Sequence, residues 1–329
     1  MAHIAVIGAG AWGTTLSKVL ADNGHTPTIW CHEAAIAETI NTQHENTALL
    51  AGIKLPDSIS ATTNLATTVK ASELILIVTA SQYFKQTLIQ LKPLLTNQLL
   101  LSATKGLHEA DDKRMSEVIT EVLPEQLFGI LSGPNISWEI ANKKPATTVI
   151  ASANIATAQA IQAYFNNDYF RVYVNTDVIG TEYGGTLKNV IAIAAGIIDG
   201  LKLGDNTKAA LMVRGMVEMT RLAVKLGAKP ETLMGLTGMG DLITTCSSSL
   251  SRNHAVGEKL ATGKTIHEIL QEMKAVAEGV ATTKAAYALA QKHQVEMPIT
   301  EQMYLVLYKN KTIPEALHAI MTRSPKAEY

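Results

Sequence analysis

Up to about residue 175, short apolar runs alternate with longer stretches whose apolar positions fall three and four apart. The runs at 3–7, 26–30, 74–79, 99–103, 127–131, 147–151 and 170–174 predict strands. The stretches at 12–23, 34–41, 84–91, 113–122 and 155–164 predict helices between them. Alternation of this kind calls for parallel strands joined by right-handed crossovers, a doubly wound Rossmann-type sheet.

Past Asn175 the strand signal stops and helical spacing takes over. Leu211, Met212, Met216, Met219, Leu222, Ala223 and Leu226 share one helical face; the methionines among them read as core packing. Further helices are predicted at 179–199, 253–262, 266–273, 279–292, 300–308 and 314–321. The chain is therefore expected to be α/β, with a dinucleotide-binding Rossmann domain at 1–176 followed by an all-α substrate-binding and catalytic domain at 177–329.

Composition narrows the function classes. Of 329 residues, 47% are apolar and only 17% charged, below the roughly 25% usual for soluble domains. Such scarcity of charge suits helices buried on more than one face, a second subunit included. A net charge of −1 gives no footprint for nucleic acid or a membrane surface. Two cysteines, Cys31 and Cys246, offer neither metal-ligand spacing nor a disulfide framework, so no metal is expected and a reducing compartment fits. The first strand opens at His3, leaving no room for a signal peptide. The longest apolar run, 190–198, is far shorter than the ~20 residues a bilayer requires. A cytoplasmic protein without membrane insertion, acting on a small molecule, is the expectation.

Chemistry-bearing residues gather where strands end. The first strand runs into Gly8-Ala9-Gly10-Ala11-Trp12-Gly13. In a Gly-x-Gly-x-x-Gly turn the first glycine makes the bend, the second lets backbone approach a pyrophosphate, and the third packs helix on strand. The helix that follows aims its amides and its positive dipole end at the phosphates. At the tip of the second strand stand Cys31 and His32, with Glu33 only one place later, so the position leaves room for NADP beside NAD; a solvated loop is the alternative. Lys105 follows the apolar run 99–103 and precedes Gly106, where its charge can reach a phosphate or a carbonyl oxygen, or simply face solvent. Lys188 opens 187–195, a stretch with no other charge. Burial of that lysine is costly unless it is paired or deprotonates readily, although a stem that snorkels to solvent also fits. A third cluster runs from Gly238 to Asn253 and holds Asp241, Ser251 and Arg252. Arg252 has the planar fork suited to a phosphate, and Ser251 or Asn253 can cap the next helix.

Taken together these residues resemble the bacterial NAD(P)-dependent glycerol-3-phosphate dehydrogenases. The likeness rests on Gly8 through Thr14, Lys105-Gly106, Gly133-Pro134, Leu187 through Ala192, Asp199-Gly200 with Gly204-Asp205-Asn206, Gly240-Asp241-Leu242 and Leu250-Ser251-Arg252-Asn253, and continues at Ala277-Glu278-Gly279. It implies hydride transfer between C2 of sn-glycerol 3-phosphate and NAD or NADP, interconverting it with dihydroxyacetone phosphate and supplying phospholipid synthesis. By position it makes Lys188 the acid/base, and Lys105 a contact to substrate and cofactor that polarises the same region. Asp241, Ser251, Arg252 and Asn253 become substrate ligands, beside Gly133 and Asn135, and Asp241 joins Lys188 and Lys105 as a catalytic residue. Ala11, Trp12, His32, Ser137, Arg252, Val276 and Glu278 become cofactor ligands with the fingerprint glycines. A homodimer is also implied. Two positions depart from the family pattern: Asn135 replaces a small hydroxyl residue after Gly133-Pro134, and His254 stands where a further basic residue is common. A ketopantoate reductase-like enzyme of another small hydroxy compound and a non-catalytic NAD(P) sensor are the alternatives.

Overall fold

The computed structural model describes residues 1–273, 277–325 and 327–328. Two compact units emerge, Met1–Glu182 and Tyr183–Tyr329.

Unit 1 holds eight strands: β1 (His3–Ile7), β2 (Thr26–Trp30), β3 (Ser60–Thr62), β4 (Leu74–Ile77), β5 (Leu99–Ser102), β6 (Phe128–Ser132), β7 (Ala146–Ala151) and β8 (Phe170–Asn175). They form one sheet in the order β3-β2-β1-β4-β5-β6-β7-β8. Its helices are α1 (Ala11–Asp22), α2 (Ala34–Gln43), α3 (Leu65–Val69), α4 (Ser81–Leu91), α5 (Met115–Val122), α6 (Ser137–Ala141) and α7 (Ile155–Phe165). Along β1 the side chains alternate. Ile4 and Val6 enter one apolar core with Leu16 and Leu20, while Ala5 and Ile7 enter a second with Phe84 and Leu88. Every residue of β4 is buried, which is why that strand reads as a continuous apolar run.

Parallel pairing holds from β3 through β6 and fails at β7, which runs antiparallel to β6 and parallel to β8. A parallel return needs a crossover over a sheet face, usually on a helix. The link after β6 carries only the five-residue α6, and Thr15 of α1 ties the carbonyl of Ser137 at 3.2 Å. The chain thus stays at the carboxyl edge and re-enters the sheet from that side. The link from β7 to β8 carries the eleven-residue α7 and restores the parallel sense. Three-residue β3 is too short to show any alternation in sequence.

Among its described residues unit 2 is all helical: α8 (Val178–Gly200), within which the two units divide, then α9 (Asp205–Lys225), α10 (Pro230–Met234), a π turn (Leu236–Gly240), α11 (Asp241–Ser247), α12 (Arg252–Ala261), α13 (Ile266–Glu272), α14 (Glu278–His293), α15 (Pro298–Lys309) and α16 (Ile313–Met321). From Thr181 to Ile198 every residue of α8 is buried, the structural counterpart of the low charge content. Helices α8 and α12 cross at backbone contact. A methyl on Gly196 would lie 2.0 Å from the carbonyl oxygen of His254, and one on Gly257 2.0 Å from that of Ile193. Elsewhere in the unit Glu218 of α9 accepts from the amides of Ile299 and Thr300 at 2.7 and 3.1 Å, capping α15. Among the described residues no helix is long and apolar enough to cross a membrane.

Candidate active site

In unit 1 each fingerprint glycine meets a different constraint. Gly8 has φ +123, and a methyl there would come 2.8 Å from the Val78 carbonyl oxygen. One on Gly13 would come 2.1 Å from the Gly8 oxygen, so α1 can seat on β1 only without a side chain. Gly10 differs: nothing lies within 4 Å of its methyl position. It is also the N-cap of α1, with no side-chain cap and no acidic residue in the first turn. An uncapped helix start above open space fits a dinucleotide pyrophosphate, which supplies the negative charge that such a terminus favours.

Ala11 and Trp12 open α1 half-buried, and Ser137 opens α6 against it. His32 is exposed just past β2, its ring edge-on to Trp30 at 6.3 Å. Cys31 beside it is buried, and burial pushes its thiol up to about 11. Lys105, half-buried after β5, donates to the Gly133 carbonyl at 3.0 Å. Asn135 is engaged by the sheet: its amide donates to the Thr147 carbonyl at 3.1 Å and accepts from the Thr148 hydroxyl at 2.9 Å.

In unit 2 the buried lysine is paired. Lys188 Nζ lies 3.0 Å from Asp241 Oδ1 and donates to Thr245 Oγ1 at 2.5 Å, and Thr245 donates to Asp241 Oδ1 at 3.2 Å. Lys188 is 6% and Asp241 1% exposed. Backbone contact sets this register. Gly184, one turn before Lys188, leaves no room for a methyl, which would lie 2.6 Å from the Thr237 carbonyl oxygen. Thr237, in turn, precedes Asp241 by four residues. The glycine-rich segment before Asp241 is not an open loop but the π turn, running directly into α11. There Gly238 lies so close to Leu233 that a methyl would come 1.9 Å from its carbonyl oxygen. Thr245 is the residue that reasoning from sequence missed, although four residues after Asp241 is the same face of a helix. Cys246 next to it is fully buried, and burial pushes its thiol up to about 12 against the pull of the Lys188 charge.

A second buried junction lies one residue along α8. Asn253 Nδ2 donates to Asn189 Oδ1 at 2.9 Å, and Asn253 Oδ1 accepts from the Gly279 amide at 2.9 Å. Ser251 caps α12 by accepting from the His254 amide at 3.2 Å. Arg252 is exposed at the first position of that helix, and Glu278 opens α14. Val276 lies outside the described residues. No cluster of histidine, cysteine and carboxylate side chains able to hold a metal occurs among the described residues.

Known proteins match this chain from end to end. The model for the N-terminal part of NAD-dependent glycerol-3-phosphate dehydrogenase covers residues 3–158, and that for the C-terminal part covers 177–318. A glycerol-3-phosphate dehydrogenase (NAD(P)+) of Citrifermentans bemidjiense is 47% identical over 99% of this chain and 98% of its own. The crystal structure of glycerol-3-phosphate dehydrogenase from Coxiella burnetii superposes with a TM-score of 0.94 at 36% identity, covering 98% of this chain and 99% of that one. A ketopantoate reductase from Ralstonia eutropha, covering 93% of this chain and 97% of its own, reaches a TM-score of 0.59 at 15% identity and shares the fold alone.

Proposed function

The chain belongs to the NAD-dependent glycerol-3-phosphate dehydrogenase family, and from that membership we infer which of its own residues carry the reaction. The activity is the interconversion of sn-glycerol 3-phosphate and dihydroxyacetone phosphate with NAD or NADP, which supplies glycerol 3-phosphate for phospholipid synthesis.

Unit 1 is assigned the cofactor. Gly8, Gly10 and Gly13 with Ala11 and Trp12 hold the pyrophosphate turn, His32 receives the adenosine side and Ser137 flanks it. Val276, Glu278 and Arg252 are assigned to the cofactor by their family positions alone. The nicotinamide, when bound, supplies hydride exchange with C2 of the substrate.

Unit 2 is assigned the proton and the phosphate. As C2 is reduced, negative charge grows on its oxygen; the Lys188 ammonium stabilises that charge and delivers the proton. Asp241 and Thr245 fix the ammonium at 3.0 and 2.5 Å and carry no transferred proton themselves. Lys105 is assigned by its family position to substrate and cofactor contact. Arg252, with Ser251 and Asn253, takes the phosphate, its planar guanidinium fork reaching two of the tetrahedral oxygens. Gly133 and Asn135 are assigned to substrate contact by their family positions. In alcohol oxidation the same proton returns to Lys188.

The observation that carries this reading is the buried Lys188–Asp241–Thr245 triangle. Purified protein given dihydroxyacetone phosphate should oxidise NADH or NADPH; folded protein that turns over neither rejects it. We also assign the working form as a cytoplasmic homodimer. The 17% charge content and two free, buried cysteines support that assignment, and sedimentation of the purified chain tests it.

A further inference from the structure

The first turn of α12 carries Arg252, Asn253 and His254 in succession, and two of the three are braced against α8 at widely spaced points. Asn253 bonds Asn189 at 2.9 Å. His254, 4% exposed, places Nε2 2.7 Å from Oδ2 of Asp199. Lys208, from the first turn of α9, donates to that same oxygen at 2.6 Å. Asn189 and Asp199 are ten residues apart, which along a helix is about 15 Å. A helix turn held at two points that far apart is fixed in tilt as well as position. The close crossing at Gly196 and Gly257 fixes the remaining freedom, the distance between the axes.

Charge supports the brace. Burial pushes the Asp199 carboxyl up, yet its bonds to Lys208 and His254 outweigh that and hold it below the usual carboxylate range. It therefore stands as an anion near the carboxyl end of α8, where the helix dipole alone would disfavour it, and two cationic or donor groups offset both costs. Glu258 Oε2 is 3.5 Å from the other ring nitrogen, Nδ1. That nitrogen has no hydrogen-bond partner of proper geometry, so the ring is anchored from the Asp199 side.

We propose that His254 is a positioning residue for phosphate recognition: through Asp199 and Lys208 it locks the first turn of α12 and thereby the placement of Arg252. The proposal rests on the assignment of Arg252 to the substrate phosphate.

The test compares kcat/KM for dihydroxyacetone phosphate and for dihydroxyacetone in the full-length protein and its variants. Arg252→Ala should cut the phosphorylated substrate by about a hundredfold and the unphosphorylated one by no more than about twofold. His254→Ala should show the same selectivity with a loss of about tenfold, carried by KM, and His254→Gln, which keeps a donor for Asp199, should recover most of it. The double variant His254→Ala with Arg252→Ala should be no worse than Arg252→Ala alone, because one effect acts through the other. Equal losses on both substrates, or additive losses in the double variant, overturn the proposal and leave the Arg252 assignment standing. An Arg252→Ala variant that keeps its preference for the phosphorylated substrate overturns both. Should His254→Ala fail to fold, Asp199→Ala takes its place: the phosphate-selective loss upholds the proposal and its absence overturns it.

Discussion

Gly184 and Thr237 touch through their backbones, and this contact puts Lys188 against Asp241 one helical turn further on. A methyl at Gly184 would lie 2.6 Å from the Thr237 carbonyl oxygen, a distance no packed pair tolerates. Gly184→Ala should therefore push α8 from the π turn at a cost of about 1–3 kcal/mol and pull the ammonium from its carboxylate. The signature is a fall in kcat with cofactor affinity retained, read by steady-state kinetics beside a cofactor titration. A variant with wild-type turnover would separate this contact from catalysis.

Lys188 and Asp241 form a buried pair, and such pairs behave asymmetrically. Lys188→Met strands a carboxylate that is 1% exposed and should cost about 3–5 kcal/mol of stability. Adding Asp241→Leu should recover most of that loss, because two apolar side chains replace two desolvated charges. Turnover stays lost in both, by about a thousandfold or more. Denaturant unfolding and the dihydroxyacetone phosphate assay, run on the single and double variants, check both halves. Recovered activity in the double variant would remove Lys188 from proton transfer.

Two glycines of one turn should respond in opposite ways. Gly10→Ala adds a methyl where nothing lies within 4 Å, at a φ of −63 that alanine accepts. Its stability should move by less than about 1 kcal/mol, while the dissociation constant for the cofactor should rise by about tenfold or more as the methyl intrudes on the pyrophosphate. Gly13→Ala, 2.1 Å from the Gly8 oxygen, should instead lose stability. Thermal melts beside fluorescence titration of NADH separate the cases; undiminished binding in Gly10→Ala contradicts the assignment of the turn.

Glu218 predicts a pH dependence of stability. Burial pushes its carboxyl from 4.5 up to about 7, against the amides of Ile299 and Thr300 that draw it down. The unfolded chain loses this proton first. The contribution of this group is therefore present in full below pH 4.5 and is lost as pH rises through about 7. Glu218→Gln, which cannot ionise, should flatten that part of the stability profile whatever its overall offset. An unchanged slope in chemical denaturation across this window would show that another group titrates there.

Much of the molecule was legible because its signals are local. Seven of the eight strands show as apolar runs, and the helical face from Leu211 to Leu226 marks α9 by its spacing. What escaped is non-local. Nothing in residues 133–145 announces that β7 will reverse, since that depends on α6 docking on α1 rather than crossing the sheet. Lys188 drew attention as a charge in an apolar stretch, but its partner Thr245 did not, because a threonine in a polar segment looks ordinary until α11 turns it toward Asp241. Asn135 and Asn253 stood out as amides near glycines, and the fold gives both side chains bonds within the protein: to Thr147 and Thr148, and to Asn189 and Gly279. Periodicity can show that a side chain faces inward. It cannot show which helix waits there.

The two thiols have a practical consequence. Cys31 and Cys246 are both fully shielded and held protonated by that shielding, so the folded chain presents no reactive sulfur to maleimide or iodoacetamide at neutral pH. The wild-type sequence is thus its own labelling background. A single cysteine introduced at an exposed site on either unit would take a fluorophore cleanly, and labels on both would report by energy transfer whether the units move as ligands bind.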